Sequence, residues 1–378
     1  MNFDLGETEK VLCEELKGLF SPDTRAALAR LEKGESEDIR ALTLKALKAL
    51  GQINYLNLGL ENGRNSVTLT LAQETLASIS PSLHLSVETS TRLFGRLLSL
   101  YGTSEQKAQI LPRLEKGGLI GTVALTEENM GIDNNPLNTT AIRDDGGFLV
   151  SGTKGHVVNA PLADWFAVAG RVGRQGEDGI AFFLIQRENK GLSPGERLPT
   201  LGYKGATVSS LTLENSPVQA RYVIGPSRTR GVLREIRSWE DQVLTAAGLG
   251  LMKRAFDAAS RHAKSHSSGG KPIIAYQEIG FKLAEMLTLL QTAQLLAYRA
   301  AWMDESGDGE AGILAHCAKV FCSESAEAVA SSALQILGGK GYIQGNPAEE
   351  GYRDAKYLQI AGTSSEISRM KIADGILY

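Results

Sequence analysis

This 378-residue chain has little of what marks a disulfide-built, membrane-spanning or nucleic-acid-binding protein. Only three cysteines occur, Cys13, Cys317 and Cys322, an odd number without metal-ligand spacing. Cys317 and Cys322 lie five apart in a helical stretch, so reduced thiols within a core are expected. An excess of one charge is also lacking: 40 basic against 43 acidic residues leave a net charge of -3. That offers no field to attract nucleic acid or an anionic bilayer. No apolar run reaches the ~20 residues a spanning helix needs, and the start of the chain has no basic-then-apolar leader pattern. A soluble cytoplasmic protein without nucleic-acid or membrane partners is the expectation. Dinucleotide and P-loop fingerprints, a Ser-His-Asp arrangement and a His/Cys metal cluster are missing too, so no metal site is expected.

What the chain does have is two textures. From Glu7 to about Leu119 apolar residues recur at helical spacing, as in Val11, Leu12, Leu16, Leu19 and Phe20, with stops at Ser21-Pro22, Gly59 to Gly63 and Ser80-Pro81. The texture changes at Gly121. Up to about Pro226, short alternating or apolar runs such as 147–152, 165–169, 180–185 and 209–213 lie between turn signals and read as strands. Helical periodicity returns from Gly231 to Tyr378. Its longest runs, 281–303 and 311–337, are rich in alanine and leucine, as in helices buried on two faces. The Ser265 to Gly270 patch reads as a flexible connection, and there is no internal repeat. With 42% hydrophobic and 22% charged residues, the chain supports two or three packed units. The expected class is α+β: a helical domain over 1–120, a β-barrel-like domain over 121–227 and a helical bundle over 228–378.

The last fifth is the most specific part. Gln335-Ile-Leu-Gly-Gly-Lys-Gly-Tyr342 and Gln359-Ile-Ala-Gly-Thr-Ser364 are glycine-punctuated turns, with Tyr352-Arg-Asp-Ala-Lys356 between them. Upstream, in order, come Tyr101-Gly-Thr-Ser-Glu-Gln-Lys107, Ala124-Leu-Thr-Glu127, Gly152-Thr-Lys154, Ala247-Gly-Leu-Gly250, Lys271-Pro-Ile273 and Lys282-Leu-Ala-Glu-Met286. Together these resemble the acyl-CoA dehydrogenases, flavoenzymes that desaturate acyl thioesters. The resemblance implies that family's fold, with a C-terminal four-helix bundle, and FAD as cofactor. It also implies an acyl-CoA or acyl-carrier-protein substrate and reoxidation by an electron-transfer flavoprotein or another acceptor. The implied assembly is a homotetramer or homodimer, or a heterotetramer with a paralogue.

Desaturation removes a weakly acidic proton from the α-carbon and a hydride from the β-carbon. It therefore needs a carboxylate of raised proton affinity and donors on the thioester carbonyl. In most of the family the base occupies the position of Ala361, which cannot take a proton. In the branch similar to the isovaleryl-CoA dehydrogenases, that position also reads Ala-Gly-Thr and the base is a glutamate at the start of an earlier helix. The matching residue here is Glu240. Two readings of it stand side by side: a relocated base, or an acid in a first helical turn, where the dipole favours it. Asp241, Ala361 and Gly362 are expected around the substrate. Ile132 replaces a serine that often reaches the coenzyme A moiety, which leaves room for a carrier protein.

On the cofactor side, Thr126 matches a threonine that hydrogen-bonds the isoalloxazine edge. His156 and Val158 fall where the family has a tryptophan packing on the flavin and a threonine bonding N5. A valine side chain offers no such bond. Gln335, Gly338 and Gly339 match the glutamine and glycine amides that hold the adenine and diphosphate half across a subunit interface. The arginine and phenylalanine of that site fall at His266 and Gly269. Thr363 and Ser364 match a turn near the diphosphate. These departures admit weakened or absent FAD binding, and with it a degenerate partner subunit or a non-redox thioester enzyme. A related flavin-dependent monooxygenase is a third reading. Arg353, Asp354 and Lys356 are expected to form a structural ion network.

Overall fold

The computed structural model describes residues 6–36, 38–61, 65–128, 137–173, 179–225 and 229–377. The helices before the sheet are α1 (Glu7–Gly18), α2 (Pro22–Glu32), α3 (Ile39–Gln52), α4 (Ser66–Ile79), α5 (Pro81–Glu88), α6 (Arg96–Tyr101) and α7 (Ser104–Glu115). Local chemistry sets several of their starts. Ser21 and Ser80 cap α2 and α5, each followed by proline at the first helical position, and Thr103 and Gln106 form a reciprocal capping box. A π-helical turn over Thr89–Gly95 joins α5 to α6 in one rod. Such widened turns are found frequently at functional sites. Behind it, buried Glu88 accepts from Tyr55 Oη at 2.6 Å and Gln73 Nε2 at 2.5 Å and pairs with Arg92 at 3.4 Å. These partners offset the cost of burying its charge.

The sheet consists of β1 (Gly121–Ala124), β2 (Thr140–Asp144), β3 (Gly147–Val158), β4 (Trp165–Val172), β5 (Ile180–Gln186), β6 (Leu192–Arg197), β7 (Val208–Gln219) and β8 (Val223–Ile224). Its order is β6-β7-β3-β2-β4-β5-β8, with β1 pairing parallel to β4. The runs expected as strands lie in β3, β4, β5 and β7. The others are short or polar and carry little alternation. Between Lys154 and Val157 the register of β3 against β7 slips by one residue. That bulge kinks the strand and re-aims residues 155 and 156.

The C-terminal helices are α8 (Thr229–Ser265), α9 (Gln277–Ser306), α10 (Ala311–Leu337), α11 (Pro347–Ile360) and α12 (Ser365–Leu377). The flexible connection expected near Ser265 is a paired hairpin instead, β9 (Ser267–Ser268) with β10 (Lys271–Pro272). It turns through Gly269 and Gly270 at φ +57° and +82°, which glycine adopts without a Cβ penalty. Alanines such as Ala293, Ala297, Ala326 and Ala330 fill the bundle centre. α9 is not buried on both faces, since Phe281, Leu295 and Trp302 are 59%, 55% and 55% exposed. Glu74 of α4 accepts from Gln294 and Tyr298 of α9, tying the first helices to the bundle. Cys13 and Cys322 are buried thiols and Cys317 is partly exposed. No helix among the described residues is long and apolar enough to cross a membrane.

Candidate active site

A cavity of about 480 Å³ opens where the first helices, the sheet and the bundle meet. α8 contributes Ile236, Arg237, Glu240, Val243 and Leu244, spaced as one face of a helix. The α5–α6 rod contributes Leu85 of α5 and, four and eight residues on, Thr89 and Leu93 of the π-helical turn. Val123, Leu125 and Thr126 come from β1 and the residues after it. His156 and Val158 come from β3 at the bulge, while Val157 points into the core. Tyr357, Ile360, Ala361 and Gly362 complete the wall where α11 ends.

Glu240 lies well inside α8, whose first residue is Thr229, and not at a helix start. The dipole account of an acid there drops out, because that effect is confined to the first turn. Its Oε2 accepts from Arg237 Nη1 at 2.8 Å, and Arg237 Nη2 donates to Thr126 Oγ1 at 3.3 Å. A Cβ built on Gly362 would come within 3.5 Å of Glu240 Cγ. The carboxylate therefore rises directly beside the turn that carries Ala361.

Asp241, expected at the substrate, is absent from the cavity wall. One step along a helix rotates a side chain by about 100°, which takes it away from the face of Glu240. It is 3% exposed, and its Oδ1 accepts the Thr363 N–H at 2.8 Å. Burial raises its carboxyl to about 6, against the pull of Lys319 and Thr363. Lys319 of α10, also fully buried, donates to the carbonyls of Leu358, Ala361 and Thr363. Burial lowers its pKa while Asp241 opposes that shift. Asp241 and Lys319 thus stitch the 358–363 turn from behind, which corrects the expected substrate contact to a positioning one. Thr363 and Ser364 likewise do not line the cavity. Thr363 is buried in this stitch, and Ser364 Oγ accepts the Ile367 N–H at 3.3 Å at the start of α12.

A second buried pair supports the other wall. Lys154 donates to Glu127 at 2.7 Å, and Glu127 also accepts Thr139 Oγ1 at 2.6 Å and the Thr139 N–H at 3.0 Å. Burial brings Lys154 down to about 8, with Glu127 working the other way. This pair pegs the segment bearing Thr126 against β3.

Sequence comparison matches residues 23–118 to the acyl-CoA dehydrogenase N-terminal domain, 122–216 to the middle domain and 238–377 to the C-terminal domain. The chain belongs to the acyl-CoA dehydrogenase family. As such it is an oxidoreductase acting on CH–CH groups. An acyl-CoA dehydrogenase of Bacillus subtilis (strain 168) is 32% identical over 317 residues, 83% of each chain. Butyryl-CoA dehydrogenase from Megasphaera elsdenii shares the fold, with a TM-score of 0.91 and 24% identity over 100% of both chains. The prolyl acyl carrier protein oxidase AnaB superposes with a TM-score of 0.87 at 26% identity, covering 99% of this chain and 100% of that one.

Three of the family's cofactor positions stand away from this cavity. Gln335, Gly338 and Gly339 sit exposed at the end of α10. Gly338 has φ +57°, and a Cβ on either glycine would meet nothing within 4 Å. His266 stacks on His262 with ring centroids 4.7 Å apart. His262 is depressed by burial, by His266 and by Lys340, so the glycine turn and this end of α8 lie together. The Arg353 network is present: Arg353 pairs with Glu349 at 2.7 Å, Asp354 accepts the Tyr203 N–H, and Lys356 pairs with Glu327 at 3.7 Å. Ile132 lies outside the described residues. Among the described residues there is no group of three or more His, Cys, Asp or Glu side chains that could hold a metal. Sequence reading missed Arg237, Lys319 and the Glu127–Lys154 pair. Only Arg237 left a signal there, its three-residue spacing from Glu240.

Proposed function

We propose that this chain is an FAD-dependent acyl thioester dehydrogenase in which Glu240 removes the α-proton. One observation carries the reading: among the described residues that line the cavity, Glu240 is the one carboxylate. The acyl group would lie between the α5–α6 rod and α8, against Leu85, Leu93, Ile236, Val243 and Leu244. A bound acyl group against those walls would displace water from the partly exposed carboxylate. The small side chain of Ala361 leaves the adjoining space open.

The opposite wall fits a flavin head. Thr126 accepts from Arg237 and keeps one hydrogen to donate to a ring edge. His156 and Val158 present a ring and an apolar surface beside it, and the open Gly338–Gly339 backbone suits a phosphate-bearing tail. When bound, the flavin supplies the two-electron acceptor for the hydrogen leaving the β-carbon. The apolar outer face of α9 supports a homo-oligomer that would bring a second chain to that tail, and an electron-transfer flavoprotein is the expected acceptor of the electrons. Ile132 in place of a serine, and the likeness to an oxidase named for a prolyl carrier-protein substrate, support a carrier-bound acyl or aminoacyl thioester alongside acyl-CoA.

The test is the flavin spectrum of the purified chain, followed by its bleaching with a panel of acyl-CoA and acyl-pantetheine thioesters. The parent should bleach with at least one of them. Glu240→Gln should slow that step by roughly 10²- to 10⁴-fold. Bleaching at the parent rate would remove Glu240 from the role.

A further inference from the structure

The geometry points to Arg237 as a positioning residue that fixes the Glu240 carboxylate by holding it and Thr126 of the β-domain at the same time. This inference rests on the reading of Glu240 as the base. Arg237 stands one helical turn before Glu240 on the same face of α8. Its two terminal nitrogens divide the work, Nη1 to Glu240 Oε2 at 2.8 Å and Nη2 to Thr126 Oγ1 at 3.3 Å. An exposed pair at this spacing would contribute little, because both side chains are free to swing apart. Here the guanidinium is anchored at a third point, on a different structural layer. The group is planar and rigid, so neither arm can rotate without straining the other.

The arrangement also sorts the two carboxylate oxygens. Oε2 is engaged by Arg237, whereas Oε1 has no hydrogen-bond partner among the described residues. Oε1 is thus the oxygen left to receive a proton, and its direction is set by the grip on Oε2. The neighbouring cations of the wall are committed elsewhere, Arg353 to Glu349 and Lys356 to Gln359 and Glu327. A lysine at 237 would keep a positive charge but lacks the fork that reaches both partners.

The experiment uses the full-length flavin-loaded protein and the thioester from the panel above that bleaches it fastest. Steady-state kcat and KM are measured for the parent, R237Q, R237K, T126V and the R237Q/T126V double variant, with E240Q as reference. Binding of the corresponding non-reactive thioether is followed by calorimetry. The Glu240 side-chain carboxyl signal, assigned by its loss in E240Q, is followed by ¹³C NMR without substrate. R237Q should lower kcat on the order of 100-fold, the scale expected when a reacting group is misplaced by about an ångström. Thioether affinity should be unchanged and the carboxyl signal should move. R237K should recover part of the rate. T126V, close in shape to the parent, should lower kcat by roughly 10-fold, as loss of one hydrogen bond from a charged donor does. The double variant should be less slow than the product of the two single losses, because the part of the Thr126 effect that runs through the guanidinium is already gone in R237Q. Parent kcat in R237Q, multiplying effects in the double variant, or a loss confined to thioether binding would each overturn the inference. An active E240Q would instead overturn the reading beneath it, whereas an inactive E240Q with a normal R237Q overturns this inference alone.

Discussion

The cavity and the glycine turn at the end of α10 are built in opposite ways. Thr126, His156, Val158, Glu240, Ala361 and Gly362 converge on a cavity walled by all three layers of one chain. Gln335, Gly338 and Gly339 stand on an open edge that the same chain does not cover. The first is defined by side chains braced from behind, by Lys319 under one wall and Lys154 under the other. The second is defined by the open backbone of Gly338 and Gly339, with nothing packed beyond their Cα atoms. Substitutions should therefore act on chemistry at the first place and on cofactor retention at the second.

The sharpest way to break that contrast is at the base. E240Q should lose roughly 10²- to 10⁴-fold in the bleaching step, and A361E added to it should restore part of the loss, since the two positions share one wall. No recovery in a folded, flavin-bound double variant would show that the wall admits a base from one side only. Next in size is the brace. K319M should destabilise the fold by about 3–5 kcal/mol in urea unfolding, because it leaves the buried carbonyls of Leu358, Ala361 and Thr363 without their donor and removes the positive charge that offsets the burial of Asp241. A loss below ~1 kcal/mol, the scale of an exposed pair, would mean that Lys319 braces nothing.

Asp241 gives a pH test of the same brace. Its folded pKa of about 6 lies above the unfolded value of 3.8. A raised carboxyl contributes its stabilisation below the unfolded value and loses it as pH rises through the folded one. D241N cannot ionise, so its stability relative to the parent should improve by about 2–3 kcal/mol between pH 4 and pH 7. Above pH 7 the difference should stay flat. A difference that shrinks over that range would invert the assignment. The smallest effect belongs to the open edge. H266R should tighten FAD by roughly tenfold, the worth of one charge-assisted contact, with no change in thioester specificity. Weaker binding of FAD to H266R would place the flavin tail elsewhere.

Much of this was legible in the sequence because it depends on local rules. The helix boundaries at Ser21-Pro22 and Ser80-Pro81, read as stops though both serines cap the helix that follows, and the alternation in β3, β4, β5 and β7 are set within a few residues. The pairing of an alanine at 361 with a glutamate at 240 was legible only through the resemblance to the family, not through a local rule. The braces were not legible. Lys319 meets the 358–363 turn across some forty residues, and Lys154 meets Glu127 only because β3 returns beside β1. Such pairings are created by tertiary packing, and a single sequence carries no periodic trace of them. Asp241 shows the same limit at shorter range. Adjacency to Glu240 suggested a shared role, whereas helical rotation sends neighbours to different faces. The Ser265 to Gly270 patch looked flexible by composition, yet its two glycines supply the left-handed conformations that close a hairpin.

The closeness of Glu240 to Gly362 has a consequence for descent. On the proposed reading, a proton-accepting group can be handed from the turn to the helix without moving either element, because Ala361 and Glu240 line the same cavity. The handover has two possible waypoints. A chain with neither carboxylate would be inert, whereas a chain with both would hold two acids in one apolar chamber. The second is tolerable if the pair shares a single proton, as closely spaced carboxylates do. Redundancy followed by loss is therefore the passable route. Gly362, at φ +66° and with Asp241 Oδ1 only 2.4 Å from where a Cβ would stand, is the residue that cannot change along the way.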